Sequence, residues 1–195
     1  MYAKYTVLGL KNSLIRARLR VYMKHPDLKT IDSVRKKGFR PQTVGCFLFE
    51  KRILFVYSKE HDLWQLPQGG IDNNEEVITA LTREMSEELG QDFTLLSKTN
   101  PELILEDAME FPPETRGTRE LRMDDGSDVF MRGKHYYFLA SSVSEPDFRA
   151  EQSEFDDAKW MNLEEAMEYV ESMNQRGKRR ITKRLLKTLK SKGLL

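Results

Sequence analysis

The sequence predicts a layered α/β domain, and three observations carry that prediction. Runs of β-branched and aromatic residues at 44–49, 53–57 and 135–140 have the composition of strands. Between and after them, apolar residues recur at helical spacing over 74–89, 163–172 and 178–190, so strands and helices interleave. At 195 residues the chain suits one domain with a substantial core and room for an extension, but not a second full domain.

Taken in order, Asn12 or Ser13 caps a predicted helix running to about Lys24. It sets Leu14, Ala17 and Val21 on one side and Arg16, Arg18, Arg20 and Lys24 elsewhere, and His25-Pro26 ends it. A short turn of helix is expected after Thr30 and Asp32, stopping at Gly38, and residues 38–45 then lead into the first strand. Residues 1–37 thus form a basic helical extension to a domain over 38–195. The extension's amphipathic character suits packing on the domain, an anionic surface or nucleic acid. Residues 44–49 and 53–57 form a hairpin by composition, although its Glu50-Lys51-Arg52 turn lacks the usual glycine. A short strand at 63–66 ends at Pro67, and a helix follows over 74–89. Further strands are expected at 93–96, 103–106 and 135–140. Residues 110–133, rich in proline, glycine and charge, read as a long loop with a weak strand at Leu121, of the kind that holds substrate over a catalytic face. A strand at 159–161 precedes a helix opened by Asn162. The last helix turns Ile181, Leu185 and Leu189 toward the sheet and leaves its other faces cationic.

The formal net charge of +1 conceals a segregation. Residues 1–40 hold 11 Lys/Arg against two acids, residues 176–195 hold nine against none, and the middle holds 12 against 29. Basic ends around an acidic centre suggest a polyanionic partner held near a cation-binding site; solvated helix faces are the alternative for each end. Cys46 is the single cysteine, which excludes an intramolecular disulfide and a thiolate metal cluster. With no apolar run near the roughly 18 residues of a membrane span, and no apolar core of a secretory signal at the start, a soluble cytoplasmic protein is expected. Residues 1–26 contain no acid and several arginines, which leaves an organellar address as the alternative.

The chemistry concentrates between Trp64 and Gly90. On a helical wheel Val77, Leu81, Met85 and Leu89 form one apolar stripe, and Glu84, Glu87 and Glu88 fall on an arc bordering it. Like charges so placed repel by roughly 0.2 to 0.5 kcal/mol per pair, a repulsion that a hard cation relieves. With oxygen ligands and no nearby Cys or His, the cation would be Mg²⁺ or Mn²⁺. Taken alone, the cluster fits a solvated acidic face equally well. Gly69 and Gly70 are expected to permit a backbone bend before the helix, Gly90 to close it, and Arg83 to orient a carboxylate in a bidentate fork.

Gly69, Glu75, Arg83, Glu84, Met85, Glu87, Glu88 and Gly90 fit G-x5-E-x7-R-E-U-x-E-E-x-G, where U is a bulky aliphatic residue, and so resemble the Nudix box. Gln91 departs from the pattern at the final aliphatic position, where the family implies packing. Outside the box, GFRPQTVG at 38–45, WQLPQGGI at 64–71, the GKHYYFLA segment and SEFDDAKWM at 153–161 resemble bacterial RNA 5′ pyrophosphohydrolases and related diadenosine polyphosphate hydrolases. The resemblance implies an α/β/α sandwich with a mixed sheet, and metal held by Glu84, Glu87, Glu88, Glu154 and the Gly69 backbone. It implies Glu84 as general base oriented by Arg83, and a substrate contacted by Arg40 and Gln68. Lys59 stands where relatives carry paired arginines, and Tyr137 or Tyr136 is the expected base-stacking platform. The implied reaction is removal of pyrophosphate from the 5′ triphosphate of RNA, with cleavage of diadenosine polyphosphates as the alternative. A non-catalytic nucleic-acid-binding or regulatory module is the alternative of another class.

Overall fold

The computed structural model describes residues 25–90, 100–144 and 153–195. The helix expected before Lys24 and the strand expected at 93–96 lie outside them. Helix α1 (Leu28–Lys36) starts earlier than expected, because Asp27 rather than Thr30 or Asp32 caps it: the Asp27 carboxylate accepts from the Thr30 N–H at 2.9 Å and from its hydroxyl at 2.7 Å. Ile31 and Arg35, one turn apart, are its buried residues. Gly38, at φ +80°, closes the helix by donating to the Arg35 carbonyl.

Strand β1 (Phe39–Phe49) also begins before the expected position. It runs parallel to β8 (Gly133–Ser142) from Phe39↔Gly133 to Leu48↔Ser142, so the GFRPQTVG segment is strand and not an approach to one. Strand β2 (Arg52–Ser58) returns antiparallel, through a turn in which Glu50 and Lys51 take φ of +45° and +58°. A two-residue hairpin with both central φ positive matches the right-handed twist of its strands but strains residues that carry a Cβ. Lys51→Gly should therefore raise stability by about 0.5–1 kcal/mol in urea unfolding, with activity unchanged.

β1 and β2 pair at Leu48↔Ile53 and Phe49↔Arg52 and then part. The N-terminal half of β1 takes another partner on that edge: β3 (Leu63–Gln65) lies on β2, and β4 (Gln68–Gly70) pairs with β1 at Gln42–Val44. The Gly45 N–H bonds to the Pro67 carbonyl at the junction, and this splay delivers the Gly-Gly pair to the middle of the sheet. Helix α2 (Val77–Leu89), β5 (Glu102–Glu110), β9 (Asp157–Met161), α3 (Leu163–Ser172) and α4 (Arg176–Ser191) complete the domain. Asn162 and Glu165 form a reciprocal capping box at the start of α3. The expected loop at 110–133 holds a hairpin of its own, β6 (Glu120–Arg122) with β7 (Asp128–Phe130).

The mixed sheet has helices on both faces. Val44, Cys46, Phe55, Tyr136 and Phe138 meet Ala166, Val170, Ile181, Leu185 and Leu189 of α3 and α4. Phe47, Leu54, Val56, Tyr137 and Leu139 meet Ile31 of α1 and Val77, Leu81 and Met85 of α2 on the other. Both expected helical stripes are buried, and the α/β/α sandwich follows from alternation along β1, β2 and β8. No described helix is long and apolar enough to cross a membrane.

Candidate active site

Burial of Val77, Ala80, Leu81, Met85 and Leu89 fixes the rotation of α2 and so aims Glu84 and Glu88 along its border toward β4. The Gln68 N–H donates to Glu88 Oε2 at 2.9 Å. Glu84 lies against Gly69 so closely that a Cβ there would stand 1.8 Å from its carboxylate. Gly69 and Gly70 are thus needed for close approach; neither takes the positive φ expected of a bend.

Arg83 is the hub of this end of the helix. Its Nε and Nη2 hold both oxygens of Glu75 at 2.9 and 2.8 Å, Nη1 reaches Glu84 at 2.8 Å, and Nη2 also donates to the Gly70 carbonyl at 2.9 Å. Glu75 is held below the usual carboxylate range by this pairing, and Arg83 is kept firmly protonated by Glu75 and Glu84. Glu87 is more exposed, 3.5 Å from Arg83. Glu154, an exposed loop acid, is brought beside the helix by its own backbone: the Glu154 N–H and the Ser153 hydroxyl both donate to the Glu88 carbonyl, at 3.0 and 2.6 Å. Nothing in the local sequence sets Ser153 apart from an ordinary loop serine; the bond to a helix 65 residues away does.

Burial pushes the Glu88 carboxyl up to about 8, with Glu84, Glu154 and Glu87 adding to the rise. Glu84 is raised as well, by burial against the opposing pull of Arg83. Among the described residues no three acidic, His or Cys side chains are drawn together around one point. Arg83 draws Glu84 and Glu87 toward itself, and the Gln68 N–H holds Glu88. The donor set nonetheless fits a hard divalent cation: it is all oxygen, and its buried member lacks a counter-charge.

On the far side of β4, Arg40 Nη2 lies where a Cβ on Gly70 would approach to 2.6 Å. Lys134 is the register partner of Arg40 on β8 and shares its face of the sheet. Burial, aided by the charges of Arg40, Lys178 and Arg119, lowers the Lys134 ammonium to about 8. Among the described residues Arg40, Lys134 and Arg119 have no acidic partner, while Lys178 donates to Gln65 at 3.2 Å. A cavity lined by Val44, Phe55, Gln68, Tyr136, Phe138 and Lys178 opens beside them. Sequence reading missed Lys134 and Arg119, since their cationic character matters only once β8 is aligned with β1. Lys59 is exposed on the turn after β2, its N–H bonded to Asp156 at 2.7 Å, two residues from Glu154.

The expected role of Tyr137 is corrected. Its ring is fully buried on the α2 side beside His135 and presents no face to a base. Tyr136, on the opposite face, is also buried, in the core under α3 and α4, and lines the cavity. Ten residue pairs between β1 and β8 set both rings inside the sheet's two cores, a consequence of pairing that composition cannot show.

Fold and site together define the class: an α/β/α protein whose carboxylate-bearing helix lies behind a Gly-Gly strand with a cationic flank. The NUDIX domain model matches residues 39–185, and the chain belongs to that family of hydrolases. An RNA pyrophosphohydrolase of Nitratiruptor sp. is 29% identical over 166 residues, covering 82% of this chain and 99% of the relative. The chloroplastic Nudix hydrolase 26 of Arabidopsis thaliana is 27% identical over 139 residues, covering 68% and 62%. The NUDIX domain of Shewanella oneidensis NrtR, solved with ADP ribose, superposes with a TM-score of 0.52 at 13% identity over 79% of this chain and 88% of that domain. That likeness bears on the fold alone.

Proposed function

We propose that this Nudix hydrolase removes pyrophosphate from the 5′ triphosphate end of RNA. The observation that carries the reading is the juxtaposition of an acidic site with Arg40, which lies against Gly70, and its register partner Lys134. The names of the curated relatives point the same way. In this reading Arg40 and Lys134, with Lys178 and Arg119, hold the polyphosphate and the next backbone phosphates, and Gln68 sits between them and Glu88. A divalent cation, Mg²⁺ or Mn²⁺, held by Glu84, Glu87, Glu88, Glu154 and the Gly69 carbonyl, would neutralise phosphate charge and acidify the attacking water. Water adds to phosphorus, the anhydride P–O bond breaks with its electrons on the departing pyrophosphate, and in this reading Glu84 takes the proton. Arg83 fixes the orientation of Glu84 for that role. Such a substrate places the reaction in the cytoplasm, or in an organelle if the acid-free stretch before Asp27 acts as an address.

Diadenosine tetraphosphate offers the same polyphosphate but no further phosphates for Lys134, Lys178 and Arg119. Every additional phosphate that an RNA presents to these cations adds salt-sensitive affinity. At near-physiological salt, kcat/KM for a 5′ triphosphorylated oligonucleotide is expected to exceed that for the dinucleotide by on the order of tenfold, and to fall when the oligonucleotide is cut to one nucleotide. A faster dinucleotide, or no effect of shortening, would assign the site to dinucleoside polyphosphates. Absence of metal-dependent hydrolysis on either would leave a binding module.

A further inference from the structure

Arg35 is buried to 2% exposure, yet it lies in α1, before the segment that the family model matches. Its guanidinium does not face solvent or another helix; it reaches the loop that opens the box. Nη2 donates to the carbonyls of Ile71 and Asp72 at 2.8 and 2.5 Å, and Nη1 to Asp124 of the β6–β7 hairpin at 3.0 Å. From there the bonds continue without a gap. The Asp72 N–H donates to Glu75, Glu75 holds Arg83, and Arg83 holds Glu84 and the Gly70 carbonyl. A second strut runs beside the first, from Asn73 Nδ2 to the Met123 carbonyl at 3.0 Å.

We infer that Arg35 is a positioning residue for the metal-binding carboxylates, clamping the box loop between the helix that precedes the domain and the β6–β7 hairpin. The physical ground is directional. Consecutive carbonyls at 71 and 72 converge on Nη2 while Nη1 holds Asp124, and a planar fork with fixed N–H directions sets the loop and the hairpin relative to each other, which the single nitrogen of an ammonium does less rigidly. Those peptides carry the Asp72 N–H that aims Glu75, so a shift of the loop is passed to Arg83 and Glu84. Ile31 anchors the helix from which Arg35 reaches, fully buried against Val77, Leu81 and Tyr137. Helix α1 and the hairpin are accordingly parts of the catalytic apparatus and not appendages of it.

This inference rests on the proposed metal-dependent hydrolysis, and the test separates the two. In the full chain, Mn²⁺ binding without substrate is titrated by electron paramagnetic resonance for wild type, Arg35→Met, Arg35→Lys and Asp124→Asn, alongside kcat, KM and Tm. Groups that orient metal ligands typically change affinity or activity by 10–100-fold, so Arg35→Met should weaken Mn²⁺ binding and lower kcat by about tenfold, with KM within about twofold. Arg35→Lys should recover part of both, and Asp124→Asn should lose about threefold. Folded Arg35 variants with wild-type Mn²⁺ affinity and kcat would overturn the inference even if Tm falls, as would a change confined to KM. Should Arg35→Met not fold, Arg35→Lys and Asp124→Asn decide, and wild-type behaviour in both refutes it. If the wild type hydrolyses nothing, the functional reading fails while the Mn²⁺ titrations still decide the role of Arg35.

Discussion

Glu88→Gln is expected to lower kcat by at least about 100-fold while leaving the protein folded. Groups that only orient metal ligands typically change activity by 10–100-fold, so a ligand itself belongs at or beyond the top of that range. The substitution is nearly isosteric, and the glutamine carbonyl can still accept the bond that the Gln68 N–H now makes at 2.9 Å. Stability of the metal-free protein should rise, not fall. Burial lifts the Glu88 carboxyl from 4.5 to about 8, so the fold holds that proton more tightly than the unfolded chain does. Ionising it therefore destabilises the fold as pH climbs from about 4.5 toward 8, by on the order of 3 kcal/mol at pH 7 as an upper bound. Glu88→Gln removes that decline. In the wild type, metal binding near pH 7 should release about one proton, and apparent affinity should increase about tenfold per pH unit until it levels near pH 8. Calorimetry in buffers of different ionisation enthalpy measures the proton directly. An active Glu88→Gln protein, or one whose metal-free Tm falls, would return the carboxylates to a structural role.

Replacing Arg180 and Arg184 together by Gln should cost about 2–3 kcal/mol, a drop in Tm of roughly 5–10 °C for a domain of this size. The basic last helix invites the view that all its charges await a polyanion, and the structure divides them differently. Arg180 reaches both oxygens of Asp107 at 3.1 Å, and Arg184 reaches it at 2.7 Å. The Asp107 side chain on β5 is 8% exposed, so losing both partners would strand a carboxylate out of water. The half-exposed arginines are partly screened, which is why the figure lies below that for a fully buried pair. Burial alone would raise the Asp107 carboxyl, but the two arginines outweigh it and hold the group below its ordinary range. The pair's contribution is thus present above pH 3.8 and is lost as pH falls through the depressed value. Lys183 is engaged by Glu171, and Arg179 reaches the Glu171 carbonyl. Among the described residues Lys178 and Arg179 also make no ion pair, and Arg176, Lys187, Lys190 and Lys192 have neither an ion pair nor a side-chain hydrogen bond. A charge-dependent loss of RNA binding should follow from changing those four, with little change in Tm. Unchanged Tm in Arg180→Gln, Arg184→Gln would show that Asp107 finds other partners.

Much of the fold and of the acidic site was legible because its signals are local. Helical spacing at 77, 81, 85 and 89 was enough to place the carboxylates on a border of α2, and the stripe at 181, 185 and 189 was enough to seat α4. The strand runs at 53–57 and 135–140 likewise depend on near neighbours. Where expectation missed, the deciding partner was far away in sequence. Phe39–Thr43 became strand because β8, some ninety residues on, pairs with it. Tyr137 lost its expected face to the same pairing.

By itself the sequence determined where the carboxylates stand: Glu84, Glu87 and Glu88 at i, i+3 and i+4 beside an apolar stripe, with an arginine next to them and glycines ahead of them. These are short-range facts, set by residue type and by the 3.6-residue period of a helix. Tertiary structure decided which charges are free to work. It consumed Arg180 and Arg184 on Asp107, set Arg40 beside Lys134, and turned Arg35 from a helix cation into the brace of the box loop. The physical reason is that a charge acquires its role from the partner it meets and the water it loses. Both are properties of contacts between distant segments, which residue spacing does not encode.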